Sequence, residues 1–184
     1  MDHTNLTYKD VECLTQDILR QITKDGWKPD YVVGLTRGGL LPAVLISQYL
    51  DVPMQTLKVS LRDDQDCVSD CGMASDAFGY VNLEIRKDHE SYSKKKLRKN
   101  ILIVDDINDT GATLNWIKQD WQSSCLPQAT EVWEQVWGNN VRVAVLIDNL
   151  PSKSELTINY AGMEINKNED PRWVNFPYEG WWKK

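Results

Sequence analysis

Short aliphatic segments alternate with helical patterns along most of this chain. YVVGL (31–35), ILIV (101–104) and VRVAVLID (141–148) are apolar runs with few polar interruptions, which is typical of strands buried on both faces. LLPAVLISQYL (40–50) and TLNWIKQDW (113–121) follow the first two runs and have the pattern of helices. Strands that alternate with helices form a parallel sheet with helices on both faces. The sequence therefore predicts an α/β fold.

Two further elements and two irregular regions complete this prediction. Thr7 has the character of a helix N-cap, and the apolar residues that follow it (11–22) form one stripe on a helix. MQTLKVSL (54–61) is predicted to be a strand. Residues 62 to about 96 are polar and without periodicity, and a loop of that length is usually functional or disordered. The aromatic tail from about residue 149 to 184 lies outside the alternation, so we expect it to form a small hood.

Composition narrows the class of protein. A chain of 184 residues, 41% of them hydrophobic, suits a single globular domain over residues 1–184. The formal net charge of −6 argues against nucleic acid or an anionic membrane as a partner. No apolar run approaches the roughly 20 residues needed to span a bilayer, and the polar N-terminus is unlike a signal peptide. The four cysteines are scattered, so we expect free thiols and a cytoplasmic protein.

Three carboxylates follow the strand ILIV within five residues: Asp105, Asp106 and Asp109. They repel one another, and capping of the next helix would explain Asp109 and Thr110 but neither of the other two. Adjacent carboxylates at a strand end can accept hydrogen bonds from vicinal hydroxyl groups, such as those of a ribose, or hold Mg²⁺ through water. The sequence therefore predicts a binding site at the end of this strand.

Two strands are followed by runs of small residues that suit phosphate binding. The first run is Thr36, Arg37, Gly38 and Gly39, and the second is Thr110, Gly111, Ala112 and Thr113. Both open a helix, where backbone N–H groups and the helix dipole favour an anion, and Arg37 adds a bidentate donor. Alone, the first run is equally consistent with a tight turn. Because ligands bind beyond the carboxyl ends of parallel strands, the two runs together predict a ligand with a phosphate group at each end and a diol between them.

The segment ILIVDDINDTGATL (101–114) closely resembles the substrate-binding signature of type I phosphoribosyltransferases, which bind 5-phosphoribosyl 1-pyrophosphate. GLTRGGLLPA (34–43) is similar to the pyrophosphate loop of the bacterial and archaeal xanthine-guanine and hypoxanthine branch. RWVNFPYE (172–179) is similar to the purine-binding segment of that branch. The similarity extends from about residue 28 to 182. It implies the type I phosphoribosyltransferase fold, with a central parallel sheet, helices on both faces and a small C-terminal hood.

The resemblance also implies an activity and its partners. The activity is transfer of the phosphoribosyl group to a purine base with release of pyrophosphate, and Mg²⁺ is the implied cofactor. A homodimer or higher homo-oligomer is the implied assembly. Residues 62 to about 96 correspond to a mobile lid that excludes water during the reaction. The peptide bond between Thr36 and Arg37 is implied to be cis.

Roles for single residues follow from the same resemblance. Asp109 lies at the position of the general base, and Trp173 at that of the aromatic residue that stacks on the base. The Val174 carbonyl would accept a hydrogen bond from an exocyclic amine. The donor-binding residues would be Thr36, Arg37, Gly38 and Gly39 for pyrophosphate, Asp105 and Asp106 for ribose, and Thr110, Gly111, Ala112 and Thr113 for the 5′-phosphate, with Asp109 also counted among them. Mg²⁺ would be held by Asp105, Asp106 and Glu179. A tryptophan buried in the core is the alternative reading of Trp173.

One position departs from the family pattern and leaves the identity of the base open. Purine enzymes of this group carry a lysine at the end of the strand corresponding to VRVAVLID, and it donates to the 6-oxo group. This chain has Asp148 and Asn149 there, with Lys153 as the next cation. An ionised aspartate cannot donate, so Asn149 is the predicted base-binding donor and Lys153 the second candidate. Guanine is the favoured substrate. The alternatives are adenine with Asp148 as acceptor, another nucleobase, or a non-catalytic nucleotide-sensing regulator on the same fold.

Overall fold

The elements follow one another in the predicted order, with additions near both ends and in the middle. The computed structural model describes residues 2–59, 61, 67–79, 98–124 and 133–183. Its strands are β1 (His3–Asn5), β2 (Tyr31–Thr36), β3 (Met54–Lys58), β4 (Ile101–Asn108), β5 (Val141–Asn149), β6 (Tyr160–Ile165) and β7 (Trp173–Asn175). Its helices are α1 (Tyr8–Asp25), α2 (Leu40–Leu50), α3 (Cys71–Phe78) and α4 (Ala112–Ser124), with a short 3₁₀ helix at Trp181–Lys183. None of the helices in these ranges is long and apolar enough to cross a membrane.

A five-stranded parallel sheet, in the order β3–β2–β4–β5–β6, forms the centre of the molecule. Successive residues of its strands point to opposite faces: Val32 and Leu102 pack with α1 and α2, whereas Val33 and Ile103 pack with α3 and α4. Helices cover both faces, which explains why the inner strands are continuous aliphatic runs. The predicted α/β fold with a central parallel sheet is confirmed.

Helix α1 begins where the sequence predicts it. The Thr7 side chain accepts a hydrogen bond from the N–H of Asp10, and the Asp10 carboxylate accepts one from the N–H of Thr7, which completes a capping box. The apolar stripe, which includes Val11, Ile18 and Ile22, is buried. Through this stripe α1 packs against β5 and β6.

The predicted C-terminal hood is wrong for residues 160–165. This segment is strand β6, which pairs in parallel with β5 and extends the main sheet. Its sequence, YAGMEI, mixes small, apolar and charged residues because β6 is an edge strand, so it lacks the aliphatic run of an inner strand. Gly162 lets α1 approach closely, since a Cβ there would lie 2.8 Å from the Cβ of Leu14.

A second, two-stranded sheet joins the N-terminal residues to the tail. β1 pairs in parallel with β7, and the register sets His3 opposite Trp173 and Asn5 opposite Asn175. The tail beyond β6 therefore forms a small separate unit, but this unit needs residues from the start of the chain. The sequence HTN has no strand pattern, so β1 could not be predicted.

The prediction of an irregular, mobile lid over residues 62 to about 96 is wrong for residues 71–78. They form helix α3, whose N-terminus is capped by Asp70, which accepts a hydrogen bond from the N–H of Met73 at 2.8 Å. Met73, Ala74 and Ala77 are buried in the core. Most of the remaining predicted lid, residues 62–66 and 80–96, lies outside the described residues.

Candidate active site

A cleft of about 870 Å³ opens at the carboxyl edge of the main sheet. A volume of this size suits a small-molecule ligand. Most of the predicted ligand-binding residues line it, namely Thr36, Arg37, Gly38, Asp105, Asp106, Asp109, Thr110, Gly111, Ala112, Thr113, Trp173, Val174 and Glu179. Gly39 and Asn149 do not line it. Gly39 lies behind its loop, so close to strand β4 that a Cβ would overlap the carbonyl oxygen of Val104.

The first predicted phosphate loop touches the acidic strand end directly. β2 and β4 are neighbours in the sheet, so the segments that follow them leave from the same edge. Gly38 packs so closely against Asp106 that a Cβ at this position would overlap the carboxylate. The Thr36–Arg37 peptide is cis, as the resemblance implies. The predicted convergence of the two loops on one cleft is confirmed.

Asp106 is held between the sheet edge and the tail. Its carboxylate accepts hydrogen bonds from the N–H of Ile107 at 2.8 Å and from the hydroxyl of Tyr178 at 3.2 Å. Burial raises the pKa of Asp106 above its ordinary value of 3.8, and the charge of Glu179 acts in the same direction, whereas both hydrogen bonds lower it. Burial also raises the pKa of Tyr178, so its hydroxyl remains a donor at neutral pH. The charged form of Asp106 is therefore costly in the unliganded protein.

Asp106→Asn should stabilise the protein and weaken its binding of a phosphorylated ribose. A carboxyl whose pKa is raised by folding contributes stability that is complete below its unfolded pKa and is lost as the pH rises through its folded pKa. The variant should therefore melt at a higher temperature than the wild type at neutral pH, and the difference should vanish below about pH 4. Loss of the charged acceptor should weaken binding of 5-phosphoribosyl 1-pyrophosphate by about 10- to 100-fold in calorimetry. Equal melting temperatures of Asp106→Asn and the wild type at neutral pH would show that the buried charge of Asp106 does not destabilise the protein.

The second predicted phosphate loop is braced from behind by the turn after β5. Gly111 has a φ of 87°, which favours glycine, and a Cβ there would overlap the backbone of Ser154. The N–H of Lys153 donates to the Thr110 carbonyl at 3.0 Å, and the side chain of Asn115 donates to the Lys153 carbonyl at 2.8 Å. Helix α4 begins directly after Gly111, and its first residues line the cleft, as an anion site at a helix N-terminus requires.

Trp173 and Val174 form one wall of the cleft. Trp173 is 38% exposed, so the alternative reading of a core tryptophan is wrong. The N–H of Trp173 donates to the Asp2 carbonyl, and the Asn175 carbonyl accepts from the N–H of Leu6. Neighbouring residues of a strand point their N–H and C=O groups to opposite sides, so the Val174 carbonyl points away from β1. Pairing with β1 therefore leaves this carbonyl on the side where a ligand could reach it.

Asn149, the predicted donor to the base, instead joins two strand ends. Its side-chain amide donates to the Asp109 carbonyl at 2.8 Å, and its side-chain oxygen accepts from the N–H of Lys167 at 3.0 Å. The residue is buried, and it does not line the cleft. The structure thus gives Asn149 a bracing role in place of the predicted contact with the base.

Asp148 and Lys153, the other candidates from this part of the sequence, do not line the cleft either. The Asp148 carboxylate accepts a hydrogen bond from the side chain of Asn108 at 2.8 Å. The side chain of Lys153 is exposed on the turn behind the phosphate loop. The geometry therefore gives no support to Asp148 as an acceptor for the amino group of adenine.

Lys167 lies in the cleft, although the sequence does not point to it. Its ammonium group is 2.7 Å from the carboxylate of Asp109 and 5.2 Å from the centre of the Trp173 ring. The side chains of Lys167 and Asp109 are mostly buried, with 19% and 16% exposed. Lys167 follows β6, and the signal that could have revealed it is its place after a strand of the main sheet. The assignment of β6 to the hood hides that signal.

Two predicted phosphate loops, an acidic strand end and an aromatic wall thus meet in one cleft. The sequence pattern of a known family, the phosphoribosyl transferase domain, matches residues 2–176. The match includes both loops, the acidic strand end and the aromatic residue of the wall. The chain belongs to this family.

Relatives of this phosphoribosyl transferase domain include two proteins of Saccharomyces cerevisiae. Hypoxanthine-guanine phosphoribosyltransferase is 27% identical over 199 aligned positions, which cover 97% of this chain and 86% of the relative. Xanthine phosphoribosyltransferase 1 is 24% identical over 132 positions, which cover 67% of this chain. The chain spans 62% of the length of that second relative.

Solved structures of other phosphoribosyl transferase domains superpose on nearly the whole chain. The xanthine-guanine-hypoxanthine phosphoribosyltransferase of Helicobacter pylori has a TM-score of 0.63 at 16% identity, with 98% of this chain and 96% of the other covered. The purine phosphoribosyltransferase of Pyrococcus horikoshii Ot3 has a TM-score of 0.58 at 23% identity, with 97% and 95% covered. These likenesses confirm the predicted type I phosphoribosyltransferase fold.

The carboxylates of this phosphoribosyl transferase domain suit a metal ion that binds together with a phosphorylated substrate. Asp105, Asp106 and Glu179, the predicted Mg²⁺ ligands, all line the cleft. Within the described ranges, no three acidic, histidine or cysteine side chains lie close enough together to form a ready-made metal cage. Mg²⁺ is commonly bound by one or two carboxylates together with water and substrate phosphates, and oxygen donors of this kind fit that arrangement.

Proposed function

We propose that the protein is a purine phosphoribosyltransferase that transfers the phosphoribosyl group of 5-phosphoribosyl 1-pyrophosphate to a 6-oxopurine, with guanine favoured. The observation that carries this proposal is the single cleft in which Arg37, Asp106, Thr110 and Trp173 lie together. Membership of the family supports it. The names of the two yeast relatives, a hypoxanthine-guanine and a xanthine phosphoribosyltransferase, support a base with a 6-oxo group.

At the ribose end, residues of the cleft would hold the donor and neutralise the leaving group. The loop 110–113 would bind the 5′-phosphate through N–H and hydroxyl groups, and Asp105 and Asp106 would accept hydrogen bonds from the ribose hydroxyls. Negative charge gathers on pyrophosphate as its bond to the anomeric carbon breaks, and Arg37 and the Gly38 amide would stabilise that charge. When bound, Mg²⁺ would supply further positive charge to the leaving group.

At the other end, the cleft would hold and deprotonate the base. A purine would stack on Trp173, and the Val174 carbonyl would accept a hydrogen bond from a 2-amino group. Guanine has that amino group and hypoxanthine lacks it, which is the reason to favour guanine. Asp109 would take the proton from the purine ring nitrogen as this nitrogen bonds to the anomeric carbon.

A screen of nucleobases tests this proposal. The protein, 5-phosphoribosyl 1-pyrophosphate and Mg²⁺ are mixed in turn with guanine, hypoxanthine, xanthine, adenine and uracil, and pyrophosphate release is measured. We expect release with the three oxopurines, fastest with guanine, and use Asp109→Asn as the impaired control. Release with adenine or uracil alone would refute the choice of base. No release with any base would refute the enzymatic proposal.

We also propose that the protein acts in the cytoplasm as a homodimer or higher homo-oligomer. Helix α2 is mostly apolar, and its outer face exposes Val44, Leu45 and Tyr49 beside the polar Gln48. Exposed apolar patches mark interaction surfaces, and a second copy of the chain is the partner that the family resemblance implies. The scattered placement of the four cysteines along the sequence suits a reducing compartment. Light scattering measures the assembly, and a mass equal to one chain would exclude the oligomer.

A further inference from the structure

The base end of the cleft contains a positive charge that the proposed reaction leaves without a role. Of the described residues that line the cleft, Arg37 and Lys167 are the cations. Arg37 belongs to the loop that is proposed to bind the pyrophosphate. Lys167 comes from the turn after β6 and lies beside Asp109 and Trp173, the residues proposed to act on the base.

We propose that Lys167 recognises the 6-position of the purine, where its ammonium group donates a hydrogen bond to a 6-oxo oxygen and so selects 6-oxopurines against 6-aminopurines. This inference rests on the proposed function and names the residue that decides among purines. An ammonium group has three donors and no acceptor, so it cannot accept a hydrogen bond from the amino group of adenine. A site built to bond one substituent discriminates strongly against an analogue that cannot form the bond.

The backbone of Lys167 is tied to the backbone of Asp109 by the buried amide of Asn149. That side chain accepts from the N–H of Lys167 at 3.0 Å and donates to the Asp109 carbonyl at 2.8 Å. The ammonium group lies 5.2 Å from the centre of the Trp173 ring, within the range of a cation–π contact. A purine that stacks on Trp173 would therefore lie close to the ammonium group of Lys167.

The ion pair with Asp109 connects recognition of the base to its deprotonation. The ammonium group donates to the Asp109 carboxylate at 2.7 Å. Because it has three donors, it can keep this bond while it donates to a 6-oxo oxygen. Lys167 would then orient the proposed general base at the same time as it selects the substrate.

Two nucleotides that differ in the 6-substituent and in the protonation of the adjacent N1, inosine monophosphate and adenosine monophosphate, test this role. Their dissociation constants can be measured by calorimetry on the whole protein, without any turnover. We expect the wild type to bind inosine monophosphate at least about tenfold more tightly than adenosine monophosphate. Lys167→Met should weaken binding of inosine monophosphate by about 10- to 100-fold and remove most of this preference, because hydrogen bonds to charged groups are strong.

Lys153→Met is the matched control. Lys153 is the nearest lysine in sequence to the family's usual position, but its side chain is exposed outside the cleft, so the ratio of the two dissociation constants should stay as in the wild type. If Lys167 has a purely structural role, Lys167→Met should weaken the binding of both nucleotides alike and leave the ratio of their dissociation constants unchanged. That result, or the lack of a preference in the wild type, overturns the inference. Failure of the proposed activity would appear separately, as absence of pyrophosphate release in the screen of bases.

Discussion

Asp109→Asn should lower turnover by about 10²- to 10⁴-fold, while the affinity for 5-phosphoribosyl 1-pyrophosphate stays nearly unchanged. The substitution removes the proton acceptor but little else. An asparagine oxygen can still accept a hydrogen bond from the ammonium group of Lys167, which lies 2.7 Å from the Asp109 carboxylate, so the geometry of the loop should survive. Turnover is measured as pyrophosphate release at saturating substrate, and donor affinity by calorimetry without a base.

Asp148→Asn is the control for this experiment. Asp148 is a carboxylate at the end of the neighbouring strand, but it does not line the cleft, and an asparagine oxygen can still accept from Asn108. The turnover of the Asp148→Asn variant should equal that of the wild type. A loss of donor affinity in Asp109→Asn as large as the loss of turnover would show that Asp109 binds the ribose donor and does not act as a base.

Gly38→Ala should lower kcat/KM for 5-phosphoribosyl 1-pyrophosphate by about 10²-fold, the cost of a misplacement of about 1 Å in a site of this kind. The new Cβ would overlap the Asp106 carboxylate, so this side chain must move, and its 3.2 Å hydrogen bond from Tyr178 is disturbed. The loop cannot retreat, because Gly39 already lies against the backbone of β4. Steady-state kinetics with the donor varied measure the effect.

Gly26→Ala separates a damaged cleft from a general loss of stability. Gly26 ends α1 with a φ of 69° and has no atom close enough to meet a new Cβ, so alanine should cost about 1 kcal/mol of stability through backbone strain alone. Its kcat/KM should be that of the wild type. A Gly38→Ala protein with unchanged kcat/KM would mean that this loop does not hold the donor.

The inner part of the fold is predictable because burial leaves a clear pattern in the sequence. β2, β4 and β5 lie inside the sheet and are aliphatic runs, and α1 has one apolar stripe behind a capping box. Neither the edge strand β6 nor the three-residue β1 has such a run. Helix α3 is hidden in a polar region, since a helix of eight residues needs few apolar side chains, here Met73, Ala74 and Ala77, to dock on the core.

The site is predictable where it depends on strand ends alone. The residues after β2 and β4 can be placed in one cleft from the sequence, because parallel strands end at one edge. The direction of the last side chain of β5 depends in addition on its pairing with β6, which the sequence does not reveal. Asn149 is expected in the cleft because of its place near the family's lysine position, and Lys167 is missed because β6 is not recognised as a strand of the main sheet, although the two residues are joined by a hydrogen bond.

Because β1 pairs with β7, the order in which the chain is synthesised decides when the proposed base-binding wall can form. Residues 3–5 emerge early from the ribosome, whereas their partners, residues 173–175, are made far later. A chain that ends at β6 contains the strands of the main sheet but lacks the strand that carries Trp173. The wall against which a purine would stack can therefore form only after residues 173–175 have been made and have paired with residues 3–5.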